Sequence, residues 1–180
     1  MLLSREHSQL LVIDVQERLA PAMQDPQRAI HNIVVLMQAG GRLSVPLTVT
    51  EQYPKGLGRS VPAVLERVGG HSIIEKLHFS GAAAPEVRSR VAAQGANQVV
   101  IVGMETHVCV LQTALGLRAA GKEVFVVQDA VSSRTQENKA AGLERMRAEA
   151  VRIVTTEMVL FEWLHRAGTP EFKELSALIK

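Results

Sequence analysis

The sequence predicts an α/β protein, a three-layer Rossmann-like fold with a mainly parallel six-stranded sheet and helices on both faces. Three observations carry that prediction. Six short apolar runs rich in β-branched residues recur along the chain, and runs of that kind mark strands buried on both faces. Stretches with helical character separate them. Strands alternating with helices at this spacing require crossovers, which are right-handed and join parallel neighbours.

The elements follow in order. Leu10-Leu11-Val12-Ile13 is a continuous apolar run bounded by polar residues. Ala29 to Leu43 then places Ile30, Ile33, Val34, Met37 and Ala39 mostly on one side, with Gly40-Gly41 near its end. Val45 to Val49 and Ser72-Ile73-Ile74 are the second and third strands. Pro85 sits where the first turn of a helix tolerates proline, and Glu86 to Gln94 continues it. Val99-Val100-Ile101-Val102 is the fourth strand, and the helix Thr106 to Ala120 stops at Gly121. Val124 to Val127, the helix formers of Gln136 to Ala150, and Val151 to Val154 close the series. No repeat or linker interrupts it, so residues 1–180 read as one domain, long enough for a full core.

Composition excludes several classes of function. Lys plus Arg total 20 against 18 Asp plus Glu, without a basic cluster, and aromatics are 3%; nucleic-acid binders concentrate basic charge and use aromatic platforms. No window approaches the roughly 18 apolar residues of a membrane helix. Met1 to His7 lacks the apolar core of a signal peptide. Cys109 is the one cysteine, so no intrachain disulfide forms, which fits a reducing, cytoplasmic setting.

In open parallel sheets, sites form beyond the carboxyl ends of the strands. There the sequence places Asp14-Val15-Gln16, Thr50 to Gly58, Glu75 to Ser80, Gly103 to Cys109 and Gln128 to Ser133. Three of these residues make chemical sense together. Cys109 falls at a helix start, where backbone N–H groups and the helix dipole favour a thiolate and can hold an oxyanion. Lys76 adds positive charge that would lower the thiol pKa further. Asp14, directly after a buried strand, is a candidate proton acceptor whose pKa desolvation would raise. Singly, each has a plainer reading: Cys109 between Val108 and Val110 as a small core residue, Asp14 as a turn cap, Lys76 as a surface lysine.

Ile13-Asp14-Val15-Gln16, Gly103-Met104-Glu105-Thr106-His107-Val108-Cys109-Val110 and Asp129-Ala130-Val131-Ser132-Ser133 resemble motifs of the isochorismatase-like cysteine hydrolases. The resemblance runs over nearly the whole chain. The stretches Thr50 to Gly58 and Lys76 to Ser80 are closest to the isochorismatase domain-containing proteins of eukaryotes and their bacterial relatives. The resemblance implies a catalytic triad at Asp14, Lys76 and Cys109, and hydrolysis of a small carboxamide or related acyl compound through a Cys thioester. It also implies a cis Met104–Glu105 peptide aiming a backbone N–H at the oxyanion, no cofactor, and a homo-oligomer, dimer or higher. Gln16, Tyr53, Phe79, Glu105 and Thr106 are assigned to substrate contact.

Two departures matter. Nicotinamidases carry metal ligands after strand two, where this chain reads Glu51-Gln52-Tyr53-Pro54. Its six histidines (His7, His31, His71, His78, His107, His165) lack paired ligand spacing, so no metal is expected. Members acting on isochorismate do not need the thiol, so Cys109 argues against that reaction. His107 reads as a second-layer or interface residue rather than a direct base. Trp163, within the apolar Met158 to Leu164, reads as core or subunit contact. The competing functional reading is a catalytically idle oligomeric scaffold or partner-binding protein of the same fold.

Overall fold

The computed structural model describes residues 1–69 and 73–179. Six strands form one parallel sheet: β1 (Ser8–Ile13), β2 (Leu47–Gln52), β3 (Ile73–Lys76), β4 (Gln98–Met104), β5 (Glu123–Ser132) and β6 (Arg152–Val154), in the order β3-β2-β1-β4-β5-β6. Of the expected third strand, Ser72 lies outside the described residues, as does His71. The order reverses between β1 and β4, the switch point where such sheets open a crevice.

Helices cover both faces because every central strand is apolar on both sides. Leu10, Val12, Val100, Val102, Phe125 and Val127 pack on one face, beneath α1 (Pro26–Arg42). That layer also holds α3 (Pro62–Val68), whose Val64 and Val68 join the same core, while the short α2 (Pro54–Leu57) follows β2 and buries no residue. Leu11, Ile13, Val99, Ile101, Val124 and Val126 pack on the other face. There they meet α4 (Pro85–Ala93), α5 (Leu111–Ala119) and α6 (Gln136–Ala148). α7 (Thr156–Leu164) returns to the first face, where Trp163 is buried and donates from Nε1 to Ser8 Oγ at 3.0 Å. α8 (Pro170–Leu175) follows it with buried Leu175.

Three local departures from the sequence expectation shape the site. β2 runs on through Thr50, Glu51 and Gln52, which are buried although polar. They are tolerated because partners take up their polar groups. β5 carries three more residues than β4 between the pairs Ile101–Val126 and Gly103–Val131, and this bulge carries the strand on to Ser132. The helix expected from Thr106 starts as a π-helical turn, Thr106–Val110, with α5 proper beginning at Leu111. Short α2 and α3 were not foreseen, since a few residues carry too little periodicity to register.

Candidate active site

β1 delivers Asp14. Its φ of 52° is left-handed, a region Asp tolerates better than most residues. It breaks the strand alternation that would send Asp14 to the face opposite Ile13. The carboxylate therefore meets Thr50, the register partner of Ile13, whose Oγ1 donates to Asp14 Oδ1 at 2.7 Å. Strand alternation puts Thr50 and Gln52 on one face of β2, and Lys76 pairs with Gln52 across β3.

Lys76 Nζ donates to Asp14 Oδ2 at 2.6 Å and to Gln52 Oε1 at 2.8 Å. Its other acceptors are the carbonyls of His78 (3.2 Å) and Phe79 (3.3 Å). Both charged side chains are wholly buried. The loop after β3 is itself moored on α5: Gly81 N–H donates to Thr113 Oγ1 at 2.7 Å, and Ser80 Oγ to the Gln112 carbonyl at 3.1 Å.

Cys109 comes from the π-helical turn. The Glu105 carbonyl accepts from Val108 N–H at 3.1 Å and Val110 N–H at 3.2 Å, which widens the first turn. Ahead of it the Met104–Glu105 peptide is cis. β4 reaches this point through Gly103, φ 119°, lying so close to β1 that a Cβ there would overlap the Ile13 carbonyl. The Cys109 thiol lies beside the Asp14 carboxylate, within the reach of its charge. The structure thus brings Asp14, Lys76 and Cys109 together.

The electrostatics differ from the sequence expectation at the thiol. Burial, and then the neighbouring Asp14 charge, push Cys109 up to about 12. Lys76 and a backbone hydrogen bond from Glu105 pull the other way but are outweighed. The positive charge expected to ionise the thiol is spent on Asp14 instead. Burial also raises Asp14, with Lys76, Thr50 and Cys109 opposing the rise. The resting pair is a neutral thiol beside a carboxylate with raised proton affinity.

The other sequence candidates occupy distinct places. Gln16 is fully buried, and its amide braces the β2 loop: Nε2 donates to the carbonyls of Gln52 (3.0 Å) and Gly58 (2.7 Å), and Oε1 accepts from Gln52 N–H (2.8 Å). Glu105 is nearly buried, with its carboxylate held by Arg134. Thr106 is buried, and its Oγ1 has no hydrogen-bond partner. Tyr53 and Phe79 are half-exposed on neighbouring strand-end loops. Tyr53 shares with Lys76 a cavity of about 530 Å³ that Pro54, Leu77 and Pro85 also line. His107 Nδ1 lies 3.0 Å from Ser133 Oγ, away from the thiol's proton. Glu51 accepts from Ser60 N–H (2.6 Å) and Oγ (2.8 Å). Among the described residues no three His, Cys, Asp or Glu side chains gather in a way that holds a metal. Thr50 and Gln52 were missed by the sequence reading. Their common strand parity was the available signal.

The isochorismatase domain model matches residues 8–158. The chain belongs to the isochorismatase family. It is 39% identical to the secreted isochorismatase effector Isc1 of Phytophthora sojae, over 96% of this chain and 84% of that protein. To the isochorismatase domain-containing protein 1 of Danio rerio it is 38% identical over 99% of this chain, but it spans only 62% of that longer protein. The MAR1 ribonuclease structure from Caenorhabditis elegans superposes with a TM-score of 0.93 at 34% identity, covering 99% of this chain and 92% of that one. The expected α/β fold is the one these relatives share, and the family supports a hydrolase-type activity. Among the described residues no helix is long and apolar enough to cross a membrane.

Proposed function

We propose that this isochorismatase-family protein is a metal-independent cysteine hydrolase acting on a small carboxamide or related acyl compound. The observation that carries this reading is the buried Asp14–Lys76 pair at 2.6 Å with the Cys109 thiol beside the same carboxylate. A buried ion pair is a poor investment for stability alone, whereas a nucleophile, its base and a charge partner in contact are what acyl transfer requires.

The chemistry follows from the proton positions. Asp14 accepts the thiol proton as Cys109 Sγ attacks the carbonyl carbon, so no standing thiolate is needed. The backbone N–H groups of the Thr106–Val110 turn that are not already given to the Glu105 carbonyl would hold the developing oxyanion. Asp14 passes its proton to the leaving amine, the C–N bond breaks, and a thioester to Cys109 remains. Water, deprotonated by Asp14, then attacks the thioester. The acid leaves and the proton returns to sulfur. Lys76 keeps Asp14 ionised between steps.

A small molecule suits this site better than a polynucleotide, because Asp14, Lys76 and Cys109 are each at most 6% exposed. Tyr53 and Phe79, at the rim, are the residues we assign to substrate contact, with Thr106 nearer the sulfur. Gln16 and Glu105 act behind them. A cytoplasmic setting belongs to the same reading, since the thiol must stay free. So does assembly of several copies, supported by the exposed Met158 and Phe161 on α7.

The test is alkylation of Cys109 by iodoacetamide across pH, beside ammonia release from a panel of small amides. Cys109→Ala is expected to stay folded and lose all turnover. Asp14→Asn is expected to lose about a hundredfold in amide turnover, the usual scale of general-base loss, while its alkylation profile moves to lower pH, because the charge that helps push the thiol up is gone and Lys76 remains. Retained turnover in Cys109→Ala ends the thioester mechanism. A thiol of ordinary reactivity, indifferent to Asp14, points to the idle scaffold instead.

A further inference from the structure

Glu105 supplies three contacts to the turn that carries Cys109. Its carbonyl closes the turn by accepting from Val108 and Val110. Its backbone also acts on the Cys109 sulfur, favouring the ionised form. Its side chain leaves the site altogether, towards the loop between β5 and α6. There Arg134 grips it as a fork: Nε to Oε2 at 3.0 Å, a terminal nitrogen to Oε1 at 2.7 Å, and the Arg134 backbone N–H to Oε2 at 3.3 Å. Such charge-assisted, two-pronged pairs fix orientation as well as position. The Arg134 side chain is 60% exposed while that of Glu105 is 8% exposed, so the guanidinium works from outside on a buried carboxylate.

The same loop holds the turn at a second point, where Ser133 Oγ meets His107 Nδ1 at 3.0 Å. Behind both, Gly142 of α6 lies flat against the turn. A Cβ there would stand 3.0 Å from His107 Cα and 3.2 Å from the Thr106 carbonyl. The nucleophile turn is thus splinted on its outer side by one continuous segment, Ser133 to Gly142, which supplies no hydrogen bond or ion pair to the acid or the lysine of the triad.

We propose that Arg134 is a positioning residue for the nucleophile: by fixing Glu105, whose carbonyl closes the turn that carries Cys109, it keeps the thiol in line with Asp14. This rests on the reading of Cys109 as the nucleophile. Glu105 is then a strut of the active site, with its carboxylate unavailable to substrate. The charged groups that act on the sulfur are Asp14, from the end of β1, and Lys76, from the end of β3. Neither contacts Arg134, so changing Arg134 alters the sulfur only through the turn. Arginine is required because lysine keeps the charge but not the fork.

The experiment is the pH profile of Cys109 alkylation by iodoacetamide, measured well below the melting temperature. It compares wild type, Arg134→Ala, Arg134→Lys and Asp14→Asn, with circular dichroism on each. Arg134→Ala is expected to slow alkylation at pH 8 by about tenfold to a hundredfold, the scale of a small misplacement. It also moves the profile to higher pH, because the turn no longer presents the Glu105 backbone to the sulfur, which it favours in the ionised form. Arg134→Lys falls between. A role confined to stability would lower the melting temperature and leave rate and profile at the wild-type values; that outcome overturns the proposal. Should Arg134→Ala not fold, Arg134→Lys decides by the same comparison. Wild-type alkylation that is unchanged by Asp14→Asn refutes the nucleophile reading, and this inference falls with it. An Asp14→Asn profile moved to lower pH with an unaltered Arg134→Ala refutes this inference alone.

Discussion

Asp14 is the residue on which the site's charge balance turns. Burial raises its proton affinity and Lys76 opposes the rise. As a base it works only when ionised, so turnover declines as pH falls through its raised pKa. Removing Lys76 takes away the largest opposing influence, and the acid limb of the profile should therefore move to higher pH in Lys76→Ala. The same change leaves a buried carboxylate unpaired, at a cost of about 3–5 kcal/mol, measurable by urea unfolding. An acid limb that stays in place would mean that Lys76 does not set the ionisation of Asp14. Gln52→Leu is a milder probe. It deletes the Oε1 that accepts from Lys76 at 2.8 Å but leaves the ion pair, so activity should drop while the acid limb stays near its wild-type position. Both side chains follow from strand parity in the sequence. The left-handed Asp14 does not, because parity alone would have turned it away from Lys76.

Elements place these residues by how closely they approach one another. β4 can lie against β1 only because position 103 has no side chain. Gly103→Ala is expected to cost more than about 4 kcal/mol, the range reserved for overlaps with no free space, and to appear as insoluble or molten protein on expression. A well-folded Gly103→Ala with a native unfolding midpoint would contradict the close approach. The β5–α6 segment acts on the nucleophile turn through Glu105, and this carries a pH signature of its own. Burial pushes the Glu105 carboxyl up, but the Arg134 hydrogen bonds and charge outweigh that and hold it below its usual value. A lowered folded-state pKa gives stability that is present above the unfolded value, about 4.3. That stability disappears as pH falls through the folded one. Glu105→Gln should therefore flatten the loss of stability in that acid window, read as thermal unfolding between pH 6 and pH 3. Identical acid profiles for wild type and variant would show that the pair contributes nothing to acid stability.

At the scale of the whole molecule the sheet divides the core into two layers, and the site belongs to one of them. Cys109 packs with Leu11, Ile13, Ile101 and Val110, whereas Trp163 packs with Leu10, Val100 and Phe125 on the opposite face. Trp163→Ala should destabilise the fold by about 3–5 kcal/mol and yet leave the alkylation profile of Cys109 unaltered at temperatures where the protein is folded. A changed profile would show that the layers are coupled through the sheet.

The sequence by itself determined the layer architecture, because a buried parallel strand must be apolar on both faces and a crossover must be helical. It determined also that the polar residues at the strand ends, Asp14, Lys76 and Cys109 among them, share one edge. Chain order and strand period are local properties, and these conclusions need nothing else. Only the tertiary structure decided the state of the groups once assembled. Burial and then the Asp14 charge push the thiol up, and Lys76, paired with Asp14, does not outweigh them. Gln16, expected at the substrate, is spent on bracing a loop. Arg134, silent in the sequence, reaches across from another element to hold Glu105. Ionisation, burial and hydrogen-bond partners depend on distances between residues far apart in the chain, and folding alone sets those distances.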